Sequence, residues 1–128
     1  MHKWIMIAGA GFSMLSVIFG AFGAHALKER ISEYSLSVFQ TGVQYQSIHG
    51  IALLLCGLFA LQLKNQSEQV SIWITLTASL FILGIICFSG SLYGLALTSH
   101  KWFGPITPLG GLFFILGWAC FVVAITKS

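Results

Sequence analysis

Four long apolar runs, each ended by a short polar stretch, set the pattern of this chain. They cover roughly 4–26, 41–63, 71–97 and 108–126, and each supplies the ~20 residues that an α-helix needs to cross a bilayer. Connections this short place consecutive helices antiparallel. The pattern therefore predicts an all-α integral membrane protein: a four-transmembrane-helix antiparallel bundle in one domain, 1–128. Between the first two runs, Leu27, Ile31, Tyr34 and Val38 recur at helical spacing, with Lys28, Glu29, Arg30 and Glu33 off that stripe. Segment 27–39 thus reads as an amphipathic connection lying in the membrane interface. The same spacing also suits a direct run into the second span, with Gly42 as a bend.

Composition strengthens the membrane reading. The chain is 57% hydrophobic and 7% charged, where a soluble domain carries about 25% charged residues. The net charge of +3 is spread over isolated residues at segment ends, with no basic stripe of the kind that contacts nucleic acid. Lys3 followed by an apolar run and Ala24-His25-Ala26 has some look of a signal peptide. The run is longer than the usual h-region of about 7–15 residues, however, and is read as a retained helix. Lys3, Lys64 and Lys127 fall on one side of the membrane and Lys28, Arg30 and Lys101 on the other. The positive-inside rule ties, and Lys3 on a short N-terminus tips the expectation to cytoplasmic termini. The last connection, with His100, Lys101, Trp102 and Phe103, should sit at the interface. Thr107-Pro108 then fits an N-cap followed by proline at the first helical position.

In a bilayer, helices associate through close approach and interhelical hydrogen bonds, because lipid is as apolar as leucine. Gly9, Ser13, Ser16, Gly20 and Gly23 share one side of the first helix, and His25 lies on the opposite side. Gly42, Tyr45, His49, Ala52, Cys56 and Ala60 share a face of the second. Gly90 and Gly94 form a GxxxG in the third, and Gly110, Gly111 and Gly117 suit the same role in the fourth. Cys56, Cys87 and Cys120 lie within apolar runs without ligand spacing, and read as small hydrophobes.

The chemistry concentrates at the end of the first run and the start of the second. Histidines inside a membrane cost free energy and mark candidate sites. Antiparallel pairing of the first two helices would put His25 and His49 at similar depth, with Gln44, Tyr45 and Gln46 beside them. These five residues form a candidate ligand-binding pocket between helices one and two. A lipid headgroup or a quinone-like molecule suits it, having carbonyl or hydroxyl groups beside an apolar tail. The competing reading is a hydrogen-bonded lock between the two helices. A third is an oligomeric transporter or channel with a path between protomers. No carboxylate lies in a run, no CxxCH is present, and Gly90-Ser91-Leu92-Tyr93-Gly94 lacks the pattern of a nucleophile elbow. No catalytic residue, metal site or cofactor is therefore expected. The expected partners are membrane lipids, with a homo-oligomer or another membrane protein open.

Three stretches carry a family resemblance: Gly20-Ala21-Phe22-Gly23-Ala24-His25-Ala26-Leu27, Phe39-Gln40-Thr41-Gly42-Val43-Gln44-Tyr45-Gln46 with His49, and Gly104-Pro105-Ile106-Thr107-Pro108-Leu109-Gly110-Gly111. In this order they resemble the domain-of-unknown-function 423 family of small bacterial inner-membrane proteins, itself similar to the transmembrane protein 256 group. The resemblance implies a four-helix membrane protein in the bacterial plasma membrane. It implies no activity and transfers no catalytic residue.

Overall fold

The computed structural model describes residues 2–63 and 67–128, so Lys64 of the charge count lies outside them. Among the described residues, four helices are long and apolar enough to cross a membrane. We number them α1 (Lys3–Leu27), α2 (Glu33–Gln62) and α3 (Glu68–Thr98). A 3₁₀ turn, Lys101–Phe103, then leads to α4 (Ile106–Lys127).

The helix ends follow from local chemistry. Ser32 caps α2, its Oγ accepting from the Ser35 amide at 3.0 Å. Ser67 does the same for α3, accepting from Val70 at 3.2 Å. Glu33 and Glu68 follow in the first turns, where the helix dipole favours negative charge. This cap explains why α2 starts at Glu33. The apolar stripe of Tyr34 and Val38 belongs to the spanning helix, and the connection from α1 narrows to residues 28–32. Ser99 ends α3 in the left-handed region at φ 60°, its N–H donating to the Leu95 carbonyl, as a C-terminal cap requires. The expected cap of α4 is corrected: the helix begins at Ile106, with Thr107 and Pro108 inside its first turn. Proline is tolerated there because first-turn amides have no intrahelical acceptor. The Thr107 hydroxyl instead meets that of Ser91 at 2.5 Å.

The helices pack in sequence order: α1 along α2, α2 against α3, α3 along α4. This makes α2 central, with two buried faces rather than one. Small residues set the approach. A Cβ on Gly9 would come within 2.8 Å of the Gly50 carbonyl, and one on Gly50 within 2.7 Å of Ser13 Oγ. Ser16 is buried and donates to the Ser13 carbonyl at 2.7 Å. Gly20 and Gly23 face Val43 and Phe39. Across the α3–α4 seam, Gly84 receives the Phe114 ring, Gly117 receives Phe81, and Gly110 lies against the Phe88 backbone.

Two π-helical turns interrupt the spans, Phe19–Gly23 in α1 and Ile85–Ser89 in α3. The extra residue in a π turn re-phases the faces beyond it. Beyond the second π turn the two glycines of the GxxxG share one regular helical segment but meet different surroundings: Gly90 has nothing within 4 Å of its Cβ position, whereas Gly94 lies against the Phe103 ring. Both π turns abut the same stretch of α2. Gly20 and Gly23 reach Val43 and Phe39, while Ser89 Oγ donates to the Gly42 carbonyl at 2.6 Å.

Candidate functional site

His49 lies near the middle of α2, among the buried residues Gly42, Ala52, Cys56 and Ala60. Its ring makes two hydrogen bonds. Nδ1 lies 2.8 Å from the Tyr45 carbonyl, and Nε2 lies 3.0 Å from the indole Nε1 of Trp118 on α4. A carbonyl only accepts and an indole N–H only donates. The ring therefore carries its proton on Nδ1 and accepts at Nε2, which is one neutral tautomer with both nitrogens satisfied. Its face stacks on Phe114, with centroids 3.6 Å apart and planes 9° apart. Phe81 of α3 closes edge-on at 5.3 Å.

Beside this ring a groove opens between α2 and α4, with Phe88 of α3 at its floor. Its volume is about 350 Å³, and its walls are Tyr45, His49, Gly111, Phe114, Ile115 and Trp118. The Tyr45, His49 and Phe114 rings lie within 17° of parallel. The Tyr45 hydroxyl has no hydrogen-bond partner among the described residues. Gly111 leaves the groove open, since its Cβ position lies 3.9 Å from the Phe88 ring.

Gln46, one residue on, points to the other buried face of α2. Its Nε2 donates to the Phe12 carbonyl of α1 at 2.9 Å, and its Oε1 accepts from the Tyr93 hydroxyl of α3 at 2.6 Å. One side chain thus ties three helices. Such a buried amide needs these partners, because lipid supplies none.

The five residues of the expected pocket do not come together. Tyr45 and His49 share the α2–α4 groove, Gln46 faces α1 and α3, and His25 and Gln44 are exposed. The depth argument for the two histidines is corrected as well. Gly23 packs on Phe39 and Gly9 on Gly50, so His25 is level with about Ser37. Ser37 and His49 are twelve residues apart on α2, or about 18 Å at ~1.5 Å per residue. The reading of 27–39 as a separate interfacial segment placed the start of α2 eight residues too late, at Thr41 rather than Glu33, and so lifted His49 towards the membrane surface, whereas the alternative of a direct run into the second span matches the helix from Glu33.

Trp118, Phe114, Phe88 and Tyr93 complete the two networks and escape sequence reasoning, and Gly111, read as a packing residue, instead lines the groove. A signal for two of them exists. Trp118 and Tyr93 lie well inside apolar runs, away from the interfaces that aromatic residues favour. An indole N–H or phenol O–H within a membrane span needs a partner, because lipid supplies none, and His49 and Gln46 are the polar side chains of α2 that meet the need.

The model of the family described as "Protein of unknown function (DUF423)" matches residues 19–111. A UPF0382 membrane protein of Staphylococcus aureus is 44% identical over 125 residues, covering 98% of this chain and 97% of the relative. One from Staphylococcus haemolyticus is 42% identical with the same coverage. UPF0382 membrane protein YwdK of Bacillus subtilis is 41% identical, with 98% of each chain covered. No solved structure matches the chain.

Proposed function

The chain belongs to the DUF423 family, and from that premise we propose that it is a non-catalytic binding protein of the bacterial plasma membrane. It holds a flat, ring-bearing, quinone-like molecule of the lipid phase in the groove between α2 and α4. One observation carries this reading: an aromatic-walled opening beside the middle of α2, with Tyr45 among its walls and its hydroxyl without a hydrogen-bond partner among the described residues. A volume of about 350 Å³ falls in the range of small-molecule sites. The half-exposed Tyr45 and Trp118 rings offer stacking surface to a planar guest. The Tyr45 phenol supplies a donor to a ring carbonyl. Lipid tails compete for neither contact, so the guest is recognised by its ring rather than by its chain.

Native mass spectrometry of the protein extracted with its lipids tests this reading. The wild type should retain a molecule of fixed mass, and Gly111→Leu, which fills the groove, should lose it. Equal retention by both proteins, or none by the wild type, would count against the proposal.

A second reading has its own observation. Both nitrogens of His49 are already satisfied by protein, which suits a fixed lock between α2 and α4. Under that reading Gly111→Leu changes no bound species, while His49→Ala merely lowers stability. Cytoplasmic termini remain part of the proposal, supported by Lys3 on the short N-terminus. A reporter fused to the C-terminus should be active in the cytoplasm.

A further inference from the structure

A second cavity lies far from the His49 groove, at the end of the bundle opposite the chain termini. It has a volume of about 280 Å³ and is lined by Tyr34, Ser35 and Val38 from the start of α2, Leu95, Ala96 and Ser99 from the end of α3, and Lys101. Its chemistry divides by depth. Val38 and Ala96 are buried and face the hydrocarbon end, while Tyr34, Ser99 and Lys101 are exposed at the other. The left-handed turn at Ser99 ends α3, and Lys101 just beyond it lines the cavity together with the start of α2. The stack of Trp102 on Phe103, centroids 3.9 Å apart, anchors the same turn at the interface.

A cation and hydroxyl groups above an apolar floor, at the level where bilayer headgroups lie, match one chemical class. We propose that this cavity binds the phosphate headgroup of an anionic phospholipid. The phosphate pairs with the Lys101 ammonium and accepts from the Tyr34 or Ser35 hydroxyl, and the upper acyl chain lies on Val38, Leu95 and Ala96. Ammonium–phosphate hydrogen bonds are charge-assisted and short, which makes Lys101 the principal contact. Glu33 is the nearest acidic residue in sequence and does not line the cavity. The site is independent of the reading of the His49 groove.

The test uses the full-length protein in detergent, offered an equimolar mixture of phosphatidylglycerol and phosphatidylcholine, with bound lipid read by native mass spectrometry. The wild type should favour phosphatidylglycerol at least fivefold. Lys101→Ala should abolish that preference, Lys101→Arg should keep most of it, and Lys127→Ala, on the opposite membrane face, should leave it unchanged. Lys101 is exposed, so helicity by circular dichroism should be the same in all variants. Unchanged selectivity in Lys101→Ala would overturn the proposal. Displacement of phosphatidylglycerol by equimolar inorganic phosphate would also overturn it, since the acyl contacts would then contribute nothing.

Discussion

His49 shows why a polar residue at mid-membrane depth is sustainable. It is buried, yet its nitrogens meet one acceptor and one donor, and its face meets a phenyl ring. The imidazole is satisfied without bearing charge. Trp118→Phe removes the indole donor and orphans Nε2. Hydrogen bonds between transmembrane helices average about 0.6 kcal/mol and reach about 1.7 kcal/mol, so a loss in that range is expected. His49→Ala also removes the stack and leaves a cavity, with an expected cost of about 2–4 kcal/mol. The double variant should cost less than the sum of the two, by reversible unfolding in mixed micelles. Additive losses would show that the two rings do not interact. At Gln46, Tyr93→Phe and Gln46→Leu should be non-additive in the same way, because each orphans the group that the other removes.

Whole elements depend on where glycine permits contact. Gly84 and Gly90 both lie on α3, six residues apart, with the π turn between them. Gly84 receives the Phe114 ring, and Gly90 faces open space. Gly84→Leu should therefore force α3 from α4 and destabilise by about 1–3 kcal/mol or more. Gly90→Leu should stay within about 0.5 kcal/mol. Thermal unfolding of the two variants, side by side, checks this contrast. It also marks where sequence reasoning stopped. The four apolar runs reveal four spans because bilayer thickness sets a length that composition alone can satisfy. Gly9, Ser13 and Ser16 reveal the α1–α2 contact because α1 keeps regular phase up to its own π turn, and Gly20 and Gly23 inside that turn still reach α2. The Gly90–Gly94 pair misleads because the residue pattern does not show that Gly94 meets the Phe103 ring while Gly90 faces open space. The start of α2 was hidden differently. Its first two turns are polar and amphipathic, so the apolar run began eight residues after the helix did, and Ser32 was the signal that fixes the boundary.

At the scale of the molecule, the central position of α2 organises everything else. One buried face carries Gln46 towards α1 and α3, and the other carries His49 towards α3 and α4. The sequence makes the face of His49 visible through its small residues. It conceals the face of Gln46, because a helix packed on two sides shows no single stripe. Likewise, Tyr45 and His49 were legible as candidates, whereas the α4 side of their groove was not. Nothing in the residue pattern tells which span α2 leans on at mid-depth. The central claim is that this groove between α2 and α4 holds a planar molecule. Trp118 is one of its walls and reports directly. With Trp4, Trp73 and Trp102 replaced by Phe, a short-chain quinone should be titrated into the protein in lipid nanodiscs while Trp118 fluorescence is followed. Saturable quenching that disappears in the Gly111→Leu background is the predicted result. Linear quenching of the same slope in both backgrounds, as expected for collisions with quinone dissolved in the bilayer, would contradict it.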